Sequence, residues 1–117
     1  MRRGEIWWAS LPTPVASEPG LRRPVLIVSS NDFNITAINT VLCAAITSNT
    51  RLGGAPGNVS VTPRDSGLPR DSVINVSQLI TVTKAHLTER VGALSMPALH
   101  RVEDGLRLVL DLPESTA

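Results

Sequence analysis

The sequence is poor in the residue types from which many small proteins build their functional sites. Its 117 residues include one cysteine, two histidines, no tyrosine and three other aromatic residues. A single cysteine excludes a disulfide bond within the chain and a cysteine-based metal site. Cys43 lies in the apolar run Val-Leu-Cys-Ala-Ala-Ile, which predicts a buried small hydrophobic side chain and not a nucleophile.

The remaining residues form none of the common catalytic or cofactor-binding patterns. His86 and His100 are far apart, with no carboxylate–histidine pattern beside either, and we expect both to face solvent. No serine has a nucleophile-elbow context. The glycine-rich residues 53–57 lack the following Lys-Ser/Thr of a phosphate-binding loop. The sequence therefore predicts neither a metal site nor a bound cofactor.

Long hydrophobic runs are also absent. No apolar stretch approaches the roughly 20 residues that cross a bilayer. The first residues, Met-Arg-Arg-Gly-Glu-Ile-Trp-Trp, are charged but are not followed by the apolar segment of a signal peptide. These observations predict a cytoplasmic protein that does not enter a membrane.

Charge of either sign is scarce. The formal net charge is +1, and charged residues make up 18% of the sequence. A protein that grips duplex DNA along a groove normally carries a clear basic excess, which this sequence lacks. Any polyanion must therefore be held by a local cluster of cations, which favours a small contact.

What the sequence does contain is β-structure in one domain spanning residues 1–117. Hydrophobic residues make up 42% of the chain, enough for one real core at this length. Strands are predicted at residues 5–11, 25–28, 40–47, 58–62 and 72–83, and residues 12–24 read as a long proline-rich loop. The apolar pattern of the last strand shifts parity between Val76 and Leu79, which predicts a bend or bulge.

The chain then changes from strand to helix periodicity. Ser95 is a predicted N-cap with Pro97 in the first turn, and apolar residues recur at helical spacing. These are Leu99, Val102, Leu106 and Leu110. Five or six short strands and a terminal helix predict a mainly β (α+β) fold: a small, strongly bent antiparallel barrel.

Two polar clusters stand at the ends of apolar strands. Arg22 and Arg23 precede the Pro24 strand, and residues 47–49 (Thr-Ser-Asn) follow the strand that contains Cys43. Each cluster is either a solvated strand end or part of an anion site, since a guanidinium offers a planar fork of donors that suits phosphate. If both strand ends lie on one rim of the barrel, they form a phosphate-sized pocket together with Glu18.

Six segments together resemble a known family. They are residues 3–8 (R-G-E-I-W-W), 17–20 (S-E-P-G), 23–28 (R-P-V-L-I-V), 45–49 (A-I-T-S-N), 67–78 (G-L-P-R-D-S-V-I-N-V-S-Q) and the terminal helix. In order and approximate spacing they are similar to the MazF/PemK-type endoribonuclease toxins of bacterial type II toxin–antitoxin pairs. The resemblance covers nearly the whole chain.

The resemblance implies an SH3-like or plasmid-toxin-type β-barrel that works as a homodimer. It implies metal-independent, sequence-specific cleavage of single-stranded RNA to 2′,3′-cyclic phosphate and 5′-hydroxyl ends. It assigns catalysis to Arg23 and Thr47 and a possible catalytic or RNA-binding role to Glu18. The RNA-binding residues that we expect are Arg22, Ser48, Asn49 and Gln78, with Arg22 tuning binding and not performing chemistry. The apolar strand at residues 25–28 is expected to fill the barrel with one face and to meet a partner subunit with the other.

The partner implied by the resemblance is an antitoxin whose acidic and apolar C-terminal tail covers the arginines. Two other functions on the same fold stay open at this point. One is a non-enzymatic toxin that poisons DNA gyrase, but such a toxin acts through a Trp-Gly-Ile ending, whereas this sequence ends Asp-Leu-Pro-Glu-Ser-Thr-Ala. The other is an inert RNA-binding barrel, which would have no need of Arg23 and Thr47.

Overall fold

The computed structural model describes residues 1–11 and 22–114. Within these residues the chain forms six strands: β1 (Glu5–Ser10), β2 (Arg22–Ile27), β3 (Thr40–Thr47), β4 (Val59–Val61), β5 (Ser72–Thr83) and β6 (Leu87–Ala93). The α-helices are α1 (Asn31–Asn34), α2 (Pro63–Ser66) and α3 (Met96–Leu110), with short 3-10 turns at Thr50–Gly54 and Lys84–His86.

The strands form a single antiparallel sheet in the order β4-β5-β3-β2-β1-β6. The sheet curls into a half-barrel with β4 and β6 at its two edges, and α3 closes the C-terminal part of the described chain. The predicted fold class is therefore confirmed. Strand β6 was not predicted from the sequence, because most of its side chains are polar or exposed, as is common for an edge strand.

A bulge in β5 explains the parity shift in its apolar pattern. The register pairs Ala44 with Leu79 and then Ala45 with Asn75, so residues 76–78 stand between two registers. Val76 and Leu79 consequently pack into the same core. The Val76 N–H donates to Asn58 Oδ1 at 3.0 Å, which satisfies a backbone group that the bulge takes out of the ladder.

Both faces of β2 are buried by this chain's own residues. Leu26 belongs to a core shared with α3 and β5, whereas Val25 and Ile27 belong to a second core with β1 and β3. The side chains of Val25 and Ile27 are at most 1% exposed in a single copy of the chain. The expectation that a partner subunit covers this face is therefore wrong, because the curl of the sheet encloses it.

Helix α3 begins as the sequence predicts. Ser95 is its N-cap and accepts a hydrogen bond from Ala98 N–H. Leu99, Val102 and Leu106 are buried against the sheet, but Leu110 is 49% exposed because α3 ends there at Asp111, which has a left-handed φ of 54°. The predicted apolar face is thus one residue too long.

A close backbone contact holds α3 against the loop before β4. A Cβ at Gly105 would overlap the carbonyl oxygen of Gly57, and Gly57 itself has a φ of +81°. Only glycine at both positions allows the helix to approach this closely without strain.

The lone cysteine and the two histidines lie where the sequence predicts. Cys43 is fully buried, and burial raises the pKa of its thiol to about 12. It is therefore a neutral packing residue at ordinary pH. His86 and His100 are exposed. No helix in the described ranges is long and apolar enough to cross a membrane.

Candidate active site

The site starts from the pairing of β2 with β3. The register pairs Ile27 with Cys43 and Val25 with Ala45. Arg23 precedes Val25 by two residues in β2, and Thr47 follows Ala45 by two residues in β3, so both lie just beyond the last paired residues at the same end of the two strands. The two residues to which the family resemblance assigns catalysis are thus near each other at this end.

Arg23 and Thr47 line one cleft of about 330 Å³. Its lining residues are Trp8, Arg23, Pro24, Ile46, Thr47, Ser48, Leu68, Pro69, Arg70 and Ser72. The lining has two guanidinium groups and three hydroxyls, and it includes no carboxylate from the described part of the chain. Such a cleft attracts an anion between partly apolar walls.

Arg23 is held by the strand on which it lies. Its Cα partner in β1 is Ala9, and the next residue, Pro24, pairs with Trp8. Proline has a fixed φ and no backbone N–H, so it suits a position where the ladder to β3 has ended. A functional group on such a rigid element is placed more precisely than one on a loop.

The hydroxyl of Thr47 is buried and oriented. Thr47 is 4% exposed, and its Oγ1 accepts a hydrogen bond from Asn49 N–H at 3.0 Å. The side chain of Asn49 caps the following 3-10 turn by accepting from Arg51 N–H at 3.3 Å. Ser48, between them, is exposed and lines the cleft, whereas Asn49 is not among the lining residues.

Arg22 has different surroundings from Arg23. Its guanidinium carbon lies 4.4 Å from the centroid of the Trp8 ring, and its Nη2 lies 3.6 Å from Glu89 Oε1. Arg22 therefore does not line the cleft, but it contacts an aromatic ring that does.

Gln78 does not reach the cleft either. It lies in the bulge of β5, where its Oε1 accepts from Asn75 Nδ2 at 3.4 Å. Glu18 falls in residues 12–21, outside the described residues. Among the described residues, no group of three or more His, Cys, Asp or Glu side chains could hold a metal ion.

Arg70 and Trp8 line the cleft but were missed as site residues. Arg70 belongs to segment 67–78, which resembles the family. Its position in the turn before β5 could have indicated that it lines the cleft. The β3–β5 register pairs Thr47 with Val73, so the turn that leads into β5 must pass beside Thr47. The position of Trp8 at the cleft could not be predicted, because its alignment with Pro24 depends on the β1–β2 register.

Helix α2 fixes the cleft wall formed by residues 68–70. Thr62 and Asp65 form a capping box at its start, and Ser66 Oγ accepts from Leu68 N–H at 3.0 Å after the turn at Gly67. Asp65 also accepts a hydrogen bond from Ser95 Oγ at 2.9 Å, which links α2 to the start of α3. The hydrogen bond from Ser95, followed by those from Thr62, lowers the pKa of Asp65.

Comparison with known families gives one match across most of the chain. Residues 2–110 match the profile of a family described as the PemK-like, MazF-like toxin of type II toxin–antitoxin systems. The endoribonuclease MazF6 of Mycobacterium tuberculosis is 48% identical over 110 residues, which cover 94% of this chain and 96% of that protein. The endoribonuclease EndoA of Bacillus subtilis is 33% identical over 112 residues, with 96% of each chain covered.

Solved structures agree on the fold. An endoribonuclease from a mycobacterial species, in complex with its cognate antitoxin, superposes with a TM-score of 0.79 at 23% identity, covering 98% of this chain and 99% of that one. MazF from Deinococcus radiodurans gives a TM-score of 0.74 at 20% identity, with 95% and 96% covered.

Proposed function

This chain belongs to the PemK-like, MazF-like toxins of type II toxin–antitoxin systems and is an endoribonuclease, and we propose that it cuts single-stranded RNA in the cleft that contains Arg23 and Thr47. The observation that carries the proposal is that a guanidinium and a buried hydroxyl line one cleft, together with a second arginine and no described carboxylate. The products are a 2′,3′-cyclic phosphate and a 5′-hydroxyl.

The substrate supplies the nucleophile in this chemistry. The 2′-hydroxyl attacks its own phosphodiester, a new P–O2′ bond forms, and the bond to the 5′-oxygen breaks. The protein must align these atoms and stabilise the negative charge that grows on the non-bridging oxygens. Arg23, on a rigid strand, suits this task because its donors form charge-assisted hydrogen bonds in a fixed planar geometry.

Thr47 contributes a neutral group at the same place. The hydrogen bond from Asn49 N–H fixes the position of its oxygen, and its burial keeps bulk water away. A preoriented group costs no reorganisation when charge develops, and this is the main source of such stabilisation. Arg70, on the facing turn, adds a second cation, and Ser48 adds an exposed hydroxyl for RNA binding.

Two protons must also move: one leaves the 2′-hydroxyl and one reaches the departing 5′-oxygen. Arginine stays protonated in proteins and threonine is a weak base, so neither suits the first transfer. We assign Glu18 a contributory part in it, with Arg23 indispensable. A Glu18→Gln variant as inactive as Arg23→Ala would overturn that ranking.

Single-stranded RNA as the substrate is also compatible with the charge of the protein. Readers of unpaired RNA rely on stacking and base-edge hydrogen bonds, with few phosphate contacts, and a net charge of +1 is compatible with that mode. Asn49 and Gln78 lie outside the cleft lining and are proposed to contact RNA beyond the cleaved phosphodiester. The proposed action is in the cytoplasm.

The proposed regulator is a cognate antitoxin, as the family description implies. An acidic and apolar tail would neutralise Arg23 and Arg70 and cover the apolar cleft walls, which would exclude RNA. We also propose that the chain acts as a homodimer. Sedimentation at micromolar concentration that detected only a 12.5 kDa monomer would refute the dimer.

The test is cleavage of a long single-stranded RNA in EDTA by wild type, Arg23→Ala and Thr47→Ala, with the fragment ends mapped. We expect discrete cuts by wild type alone, each leaving 2′,3′-cyclic phosphate and 5′-hydroxyl ends. Equal cutting by all three proteins would refute the site. The absence of cuts by wild type across a varied RNA, with RNA binding retained, would favour the inert RNA-binding barrel.

A further inference from the structure

Trp8 is the aromatic side chain that faces the proposed RNA cleft. The sequence has three aromatic residues. Trp7 packs against the second core, and its Nε1 donates to Glu5 Oε1 at 3.0 Å. Phe33 lies in α1. Trp8 alone of the three lines the cleft with Arg23 and Arg70.

The ring of Trp8 carries the guanidinium of Arg22. Their separation of 4.4 Å lies well inside the range of cation–π contacts, which extends to about 6 Å. A guanidinium is planar and stacks on aromatic rings. The Arg22 side chain is 55% exposed, so a large part of it remains open to a ligand.

Among the described residues, the carboxylate that competes for that exposed surface is Glu89. It pairs with Trp8 across β1 and β6 and approaches Arg22 at 3.6 Å, and its side chain is 66% exposed. Exposed ion pairs of this kind contribute little to stability. A ligand can therefore displace Glu89 from Arg22 at little cost.

We propose that Arg22, laid over Trp8, is a stacking platform for an unpaired RNA base next to the phosphodiester held by Arg23. The platform rests on the proposed ribonuclease function. Arg22 and Arg23 are consecutive, and Trp8 both lines the cleft and supports Arg22, so a nucleotide that flanks the bound phosphate lies within reach of the guanidinium. Unpaired RNA bases stack on aromatic rings and on arginine planes.

The platform contributes affinity and alignment without selecting a base. Every base has a π-face, so stacking tolerates sequence changes. Loss of the platform therefore weakens binding for all RNA sequences and leaves the cleavage motif unchanged. Trp8 is in this sense a positioning residue, because it acts through Arg22.

The experiment uses the RNA motif that the wild-type protein cuts. The cleaved nucleotide carries a 2′-deoxy sugar, so the RNA binds but has no nucleophile, and 2-aminopurine replaces each flanking base in turn. Stacking quenches 2-aminopurine fluorescence. We expect wild type to quench the probe at one flanking position and to give a dissociation constant in the same titration.

The test variants are Arg22→Lys, which keeps the charge but loses the plane, and Trp8→Leu, which removes the ring. The matched control is Arg90→Lys. Arg90 is also a half-exposed strand arginine in an ion pair, with Glu5 at 3.1 Å, but it does not line the cleft. Thermal unfolding of each variant separates loss of stacking from loss of fold.

We expect Arg22→Lys and Trp8→Leu to lose the quenching and to bind about tenfold more weakly, in the range measured for one stacked base. The double variant should bind no more weakly than either single one, because both changes remove the same stack. Arg22→Lys should unfold at the wild-type temperature and cut the same motif, and Arg90→Lys should behave as wild type.

Four results would overturn the platform. Wild-type affinity and quenching in Arg22→Lys would mean that Arg22 is a simple phosphate contact. Equal losses in Arg22→Lys and Arg90→Lys would indicate a general surface effect. A wild-type protein that cuts and binds RNA but quenches no flanking probe would reject the platform while leaving the ribonuclease function intact; one that neither binds nor cuts would reject both.

Discussion

Two neighbouring arginines at the start of β2 occupy different environments. Arg23 lines the cleft together with Thr47, whereas Arg22 lies over Trp8 with Glu89 beside it. Trp8 belongs to both surroundings, because its ring lies under Arg22 and also lines the cleft. The two arginines are therefore neighbours in space but have different contacts.

The comparison shows how the same residue type serves two purposes. The surroundings of Arg23 include a buried hydroxyl and a second arginine, Arg70. Such surroundings suit the stabilisation of negative charge that develops on a phosphate in the transition state. The surroundings of Arg22 include an aromatic ring and a carboxylate, which hold its plane and offset part of its charge. The proposed chemistry therefore falls to Arg23 and the proposed base contact to Arg22.

Substitution of Arg23 should have the largest effect. Arg23→Ala removes the main charge stabilisation in the cleft, and we expect kcat to fall by about 10²–10³-fold or more. The thermal unfolding temperature should stay near that of wild type, because Arg23 is only partly buried. Single-turnover cleavage kinetics and thermal melts measure the two quantities.

Arg23→Lys is the control for charge alone. A lysine keeps the charge but cannot offer two parallel donors to a phosphate, so most of the loss in kcat should remain. If Arg22→Ala lowered kcat as much as Arg23→Ala with KM unchanged, the division of labour between the two arginines would be wrong.

Thr47 should give the next largest effect. Thr47→Val keeps the shape and removes the hydroxyl, which also leaves Asn49 N–H without this acceptor. Loss of one such hydrogen bond costs about 1–3 kcal/mol, which corresponds to roughly a 5- to 150-fold loss of kcat if the hydroxyl faces the transition state. Thr47→Ser should retain most of the activity and stability. Equal impairment of the two variants would show that the methyl group contributes as much as the hydroxyl.

Substitution of Arg70 tests whether the cleft wall opposite Arg23 contributes to RNA binding. Arg70→Ala should raise KM about three- to tenfold with kcat nearly unchanged, because an exposed cation mainly attracts the backbone phosphates. The slope of log affinity against log salt should fall by about 0.7, the value for one phosphate contact with a single strand. Arg70→Lys should restore the slope; a kcat loss comparable to that of Arg23→Ala would instead make Arg70 part of the chemistry.

Much of this architecture could be predicted from the sequence. Five strand segments, the bulge at residues 76–78 and the N-cap of α3 at Ser95 follow from periodicity and cap residues, although β2 begins at Arg22, within residues predicted to be a loop. A shared site for Arg23 and Thr47 was expected from the family resemblance, not from periodicity. The polar edge strand β6 has no comparable apolar pattern and was therefore not predicted.

The side-chain contacts of Arg22 could not be predicted, because they depend on register. Arg22 meets Trp8 and Glu89 because β1 pairs with β2 on one side and with β6 on the other, and the β1–β6 register shifts twice. Such shifts depend on bulges that alternation does not specify. Likewise, an apolar pattern on both faces of β2 predicts double burial, but it cannot tell whether a partner or the curl of the sheet covers the second face.

Glu89 should give the smallest effect and the finest test of the comparison. Glu89→Gln removes a carboxylate that offsets the charge of Arg22 and repels approaching phosphates. Because the pair is exposed and 3.6 Å apart, it is worth at most about 1 kcal/mol. We expect RNA to bind about two- to threefold more tightly at low salt, with the gain vanishing at high salt and kcat unchanged.

The matched control is Glu103→Gln. It removes an ion pair of similar length, between Glu103 and Arg3 at 3.4 Å, and should leave RNA affinity unchanged. Weaker binding by Glu89→Gln would show that the carboxylate holds the Arg22 plane over Trp8, in which case the ion pair supports the stack and does not compete with it.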